Sequence, residues 1–163
     1  MKDVRGKTCC FSGHRLIPLD SLKKIKESLE INIEVLIQNG YVYFGAGGAL
    51  GFDTIAELTV LQLREKYPQI KLILVLPCKT QTRAWKREDI ELYESIKKAA
   101  DKIVYISNDY SDNCMQLRNQ HLVNFSSVCV CYQTKDTGGT AYTTRYAKEK
   151  GLQIVNIANL LLI

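Results

Sequence analysis

The run KTCCFSGHR at residues 7–15 is a short apolar stretch that breaks at Gly13 and leaves the chain on His14 and Arg15. A second run, YVYFGAGGALGFD at residues 41–53, ends the same way, in Gly45, Gly47, Gly48 and Gly51 followed by Asp53. Each has the form of a strand that delivers the chain into a glycine turn. They are either two unrelated turns or two walls of one binding site, and the segments between and after them decide which.

Those segments alternate. Residues 20–39 place Leu22, Ile25, Leu29, Ile33 and Leu36 on one helical face, with Asp20 or Ser21 available to cap the start and Gly40 just past the end. Residues 53–67 predict a second, broadly apolar helix. KLILVLP, starting at Lys71, is a continuous apolar run of the kind expected for a central parallel strand buried on both faces. Helices are expected over residues 83–100 and 112–125, with KIVYIS as the strand between them and SVCVCYQ as the strand after them. GGTAYTTRYAKEKG then predicts a helix with glycine at each end, and LQIVNIA a sixth strand. Six strands joined by five helices imply one doubly wound α/β domain, Rossmann-like, over residues 1–163, with a mostly parallel sheet and helices on both faces.

In such a sheet, ligands sit beyond the carboxyl ends of the strands. The segments that leave those ends share a character. Gly13, His14 and Arg15 follow the first strand, and Gly47, Gly48, Gly51 and Asp53 the second. Pro77, Cys78 and Gln81 follow the third, Arg118 and Asn119 come after the fourth, and TGGT, with Gly138, Gly139 and Thr140, follows the fifth. The opposite edge has only routine helix exits such as IQNGY and KEKG. GGALGFD and TGGT both end at a helix start, where backbone N–H groups and the helix dipole favour an anion. Asp53 and Glu57 stand four apart on one helix face, either as an N-cap and a dipole partner or as an acid pair.

Several named motifs fail. GAGGALG lacks the last glycine of a dinucleotide loop and follows the second strand rather than the first. GKT at residues 6–8 precedes its strand instead of following it. Cys9 and Arg15 have the spacing of a cysteine phosphatase, but Cys9 lies within the strand. Ser12 has no nucleophile elbow around it, and with only His14 and His121 no conventional triad is indicated. The six cysteines form neither a CxxC pair nor a zinc set, so they are expected to be reduced core residues, and no metal or cofactor is expected.

Composition sets the remaining bounds. The 163 residues are 46% hydrophobic and 24% charged, with a net charge of +5 spread along the chain. That is ordinary for a soluble domain, and the mild basicity suits phosphorylated small molecules as well as nucleic acid. No apolar run is long enough to span a membrane, and MKDVRGKT has no signal-peptide core, so a cytoplasmic location is expected.

CCFSGHR, GGALGFDTIAE, LPCKTQTRAW, CMQLRNQHLV and TGGTAYTTRYAKEKGLQIVNI together resemble the SLOG superfamily, and within it the YpsA-like branch of small bacterial and phage proteins. The resemblance covers nearly the whole chain in the same block order. It implies a Rossmann-like fold shared with DprA and with the LOG enzymes, which cleave nucleoside monophosphates to base and ribose phosphate. Other members sense nucleotide-derived signals such as ADP-ribose derivatives. The resemblance also implies that residues 13–15, 47–53, 118–119 and 138–140 line a nucleotide or sugar-phosphate site, and that the chain forms a homodimer.

The chain departs from the LOG pattern P-G-G-x-G-T-x-x-E. TGGTAYTTR lacks the second glycine-threonine step and carries Arg145 where the glutamate would stand, and Arg118 is followed by Asn119 rather than lysine. This favours binding over hydrolysis. The leading expectation is a sensor, sequestering or regulatory module for a ligand with ribose and phosphate. The alternatives are a nucleoside monophosphate glycosidase and a DprA-like single-strand binder. The last has less support, because stacking aromatics interleaved with cations do not stand out.

Overall fold

A computed structural model describes residues 3–160. The chain runs β1 (Thr8–Gly13), α1 (Leu22–Gln38), β2 (Tyr43–Ala46), α2 (Phe52–Lys66), β3 (Lys71–Leu76), α3 (Arg87–Ala99), β4 (Lys102–Tyr105), α4 (Cys114–Asn124), β5 (Val128–Tyr132), α5 (Gly139–Glu149), β6 (Gln153–Asn156) and α6 (Ile157–Leu160). The six strands form one all-parallel sheet in the order β4-β3-β2-β1-β5-β6.

Strand periodicity divides the core. Cys9 and Phe11 of β1, Leu72, Leu74 and Leu76 of β3, and Val128 and Val130 of β5 point to one face. They meet Ile25, Leu29, Ile33 and Ile37 of α1, Phe52, Ala56 and Val60 of α2, Tyr93 and Ile96 of α3, and Ile157 of α6. The alternate residues Cys10, Val75, Cys129 and Cys131 point to the other face, against Leu122 and Val123 of α4 and Ala147 of α5. This two-residue alternation is a property of any strand. Four helices therefore cover one face and two cover the other. All six cysteines are free and buried.

Three sequence expectations shift. β3 is one strand in from the edge, and β1 and β2 hold the centre of the sheet. The third helix starts at Arg87 rather than at residue 83, because residues 82–85 make a turn closed by Trp85 N–H to Thr82 O and Lys86 is extended. A short α6 follows β6, which the strand reading of LQIVNIA had run through.

The strand order fixes where a ligand can enter. From β1 the chain builds outward through β2, β3 and β4, then crosses back to place β5 on the other side of β1. The order reverses between β1 and β5, and the carboxyl ends of these two strands diverge into a crevice there.

Candidate functional site

The crevice is a cavity of about 270 Å³. Gly13, His14 and Arg15 from the end of β1 form one side, and Lys135, Thr137, Gly138, Gly139 and Thr140 from the β5–α5 turn form the other. Ala49 and Asp53 close one end, and Met115, Arg118 and Asn119 of α4 reach in from the far layer. One hydrogen bond ties its two lips together: Thr134 N–H donates to His14 Nε2 at 2.9 Å, across 120 positions of sequence. Burial, and then the charge of Lys135, hold the His14 pKa below the usual imidazole value, so near pH 7 the ring is neutral and Nε2 can accept.

The β5–α5 turn is open. Residues 134–139 are exposed, Gly138 is the N-cap of α5 with φ of 95°, and no side chain caps the helix there. The first N–H groups of a helix have no partner within it, and the residues at this helix start, Gly138, Gly139 and Thr140, line the crevice with Lys135. Arg145 is exposed and outside the crevice wall, and its Nη1 donates to Asp136 O at 3.2 Å. Thr143 and Thr144 turn inward to Gly139 O and to Gln133 Oε1.

The β2–α2 turn is closed. Gly47, Gly48 and Ala49 are buried, and two backbone donors that the sequence offered to an anion are occupied. Gly48 N–H donates to Glu57 Oε2 at 3.0 Å and Ala49 N–H to Asp53 Oδ2 at 3.2 Å. Phe52 N–H donates to His14 O at 3.1 Å. The N-cap of α2 is Gly51, so Asp53 lies inside the helix and neither acid acts as its cap. Gly51 has φ of 80°, and a Cβ there would fall on the Arg15 backbone, so only glycine lets the two turns pack this closely. Gly47 lies against Arg118, whose Nη1 donates to Gly47 O and whose Nε donates to Asn119 Oδ1 at 2.7 Å.

The two acids are almost fully buried. Burial raises the Asp53 pKa, opposed chiefly by Arg118 and by the N–H groups of the turn. Burial, and then the neighbouring Asp53, push Glu57 well above the usual carboxylate range. Two carboxyl groups so placed cannot both ionise cheaply, and burial beside Asp53 favours the protonated form of Glu57.

The crevice wall therefore contains nine of the residues that the sequence pointed to: Gly13, His14, Arg15, Asp53, Arg118, Asn119, Gly138, Gly139 and Thr140. Gly47, Gly48, Gly51 and Gln81 are not part of it. Gln81 stands behind the β2–α2 turn, beside Gly48, where its Oε1 accepts from Tyr93 O–H at 3.3 Å. The sequence reading missed Lys135. The cue was available, since a lysine three positions before Gly138 leaves β5 on the same edge.

The profile of the YpsA family, described as the YspA SLOG family, matches residues 11–160. The chain is 30% identical over 142 residues to the SPbeta prophage-derived protein YoqJ of Bacillus subtilis (strain 168), covering 79% of this chain and 83% of that one. It is 28% identical over 130 residues to a UPF0398 protein of Bacillus thuringiensis (strain Al Hakam), covering 78% and 71% of the two chains. Among solved structures, DprA of Streptococcus pneumoniae superposes with a TM-score of 0.67 at 16% identity, over 93% of this chain but only 50% of that one, so this chain spans about half its length. DprA of Helicobacter pylori, described for its single-stranded DNA binding mode, gives 0.64 at 20% identity over 95% and 71% of the two chains. These two likenesses show the shared Rossmann-like fold. On the family match and the YoqJ identity, this chain belongs to the YpsA branch of the SLOG family.

Proposed function

We propose that the chain binds a nucleotide or nucleotide-derived ligand, with its phosphate in the crevice between β1 and β5, and acts as a sensing, sequestering or regulatory module. The uncapped start of α5, exposed at Gly138 and Gly139 and flanked by Lys135 and Arg15, carries this reading. Backbone donors and a helix dipole directed into a crevice at the switch in strand order suit a phosphate. A phosphate needs only these donors, whereas cleavage of a glycosidic bond also needs a group to activate water or protonate the base. Arg145 stands where the LOG glutamate would be, and Glu57 is clipped to Gly48 away from the crevice wall. Binding without turnover is therefore favoured.

Gly139→Asp tests the reading. A Cβ at Gly139 meets nothing within 4 Å, and an acid suits the first turn of a helix, so the fold should persist. The new negative charge would oppose a phosphate at the same spot. Calorimetry with AMP should show affinity falling by roughly tenfold or more, the scale of a lost charge-assisted hydrogen bond. Unchanged affinity would remove the α5 start from the site. Chromatography of the same mixtures should show no adenine released. The H. pylori protein's single-stranded DNA binding supplies the rival reading. An oligonucleotide that binds where AMP does not, and is lost in Gly139→Asp, would favour that rival.

A further inference from the structure

A second cavity, about 400 Å³, lies on the other side of the β2–α2 turn from the crevice. Its wall is apolar and aromatic. Trp85 and Tyr93 meet edge to face with centroids 5.3 Å apart, and Ile17 and Leu92 line the sides. Leu16, 87% exposed, stands at the rim. Arg15, Thr54, Asp89 and Glu57 supply its polar groups, and of the two acids Asp89 is half-buried whereas Glu57 is only 2% exposed. Among the described residues its hydrogen bond is the one from Gly48 N–H to Oε2, which leaves Oε1 for whatever enters. Behind the same turn, beside Gly48 and Tyr93 and outside the wall of this cavity, Gln81 Nε2 is buried without a hydrogen bond. Arg15 lines this cavity and the crevice alike.

We propose that this second cavity receives the heteroaromatic base of the ligand whose phosphate occupies the crevice, with Glu57 Oε1 at the polar edge of the ring. The phosphate half rests on the function proposed above; the base half rests on this cavity alone. A purely apolar occupant would leave Glu57 Oε1 buried without a hydrogen bond, which is costly. A flat ring with a nitrogen acceptor on its edge meets both features. It packs on Trp85 and Tyr93, and it accepts from a carboxylic acid whose other oxygen is already held by Gly48. Burial, and then Asp53, raise the Glu57 pKa and so favour the protonated form, in which Oε1 can donate. Cavities of this size with an aromatic wall and a few placed polar groups are the usual form of a small-molecule site.

Trp85 is the single tryptophan of the chain, so its emission reports this cavity directly. Adenosine, AMP and ribose 5-phosphate should be titrated against the full chain, with emission and calorimetry read together. Adenosine and AMP should both shift Trp85 emission. Ribose 5-phosphate should bind by calorimetry and leave emission unchanged. Gly139→Asp should weaken AMP and ribose 5-phosphate while sparing the adenosine response. Trp85→Ala should weaken adenosine by roughly tenfold, within the range of a lost base–aromatic stack. AMP that binds without moving Trp85 emission would overturn the proposal, as would adenosine that produces neither heat nor an emission change. An adenosine response in a chain that ignores both phosphates would uphold the base cavity and sink the crevice reading. Because the emission test uses the unaltered chain, it stands even where Trp85→Ala fails to fold.

Discussion

The β2–α2 and β5–α5 turns look alike in sequence and are opposite in structure. Each is a glycine pair between a parallel strand and a helix, on the same edge of the sheet. In the first, Gly48 and Ala49 give their N–H groups to Glu57 and Asp53, Arg118 holds Gly47 O, and Gly47, Gly48 and Ala49 are buried. In the second, no side chain caps Gly138 and the turn is open to the crevice. The difference is the presence of two acids in the helix that follows the first turn. A glycine-rich helix start is an anion site only if the chain does not supply the anion itself. The first turn is better understood as a rigid partition, with Asp53 facing the crevice and Glu57 facing the second cavity.

Three substitutions would break or sharpen that contrast. The largest effect is expected at Gly51→Ala in the closed turn. Forcing alanine to φ of 80° costs about 1–3 kcal/mol. The Cβ would also strike the Arg15 backbone, so the loss in urea unfolding should exceed that strain alone. Stability close to that of the unaltered chain would show that the partition is soft.

Glu57→Gln should act in the other direction. The folded chain holds the Glu57 pKa above its unfolded value, so the unfolded chain loses the proton first as pH rises. Stability is therefore lost from about pH 4.5, near the ordinary glutamate value, up to the folded pKa. Glutamine keeps an oxygen for Gly48 N–H and has no charge to bury. Its melting temperature should exceed that of the unaltered chain at pH 7, with the gap closing toward pH 4.5. A gap that does not change with pH would mean Glu57 is ionised in place.

The smallest effect is expected at Gly139→Ala in the open turn. The added methyl group meets no atom, and Gly139 is already helical, so alanine should stabilise by about 0.4–1 kcal/mol through the unfolded chain. Destabilisation in the same urea assay would show that the α5 start is more constrained than its exposure suggests.

The fold was legible because its signals are local and redundant. Leu29 and Ile33 repeat at helical spacing, the apolar run at Lys71 is too short for a helix, and glycine punctuates the joins. Side-chain type also sorted the two edges of the sheet, and nine candidates came together in one crevice. Gln81 lies outside the crevice wall because it packs behind Gly48, against Tyr93. Lys135 was passed over because a lone lysine on an exposed turn carries no pattern of its own.

The sequence by itself determined the alternation of strand and helix, the shared edge of the glycine turns, and the missing glutamate at Arg145. Each follows from the order of residue types over a few positions, which backbone geometry reads directly. Only the tertiary structure decided which glycine turn is free. That depended on Arg118 meeting Gly47 across 71 positions, and on His14 meeting Thr134 across 120. It depended also on Glu57 turning its carboxylate back onto Gly48 instead of outward. A hydrogen-bond donor is available to a ligand only when nothing nearer takes it, and what is nearer is set by packing between elements rather than by spacing along the chain.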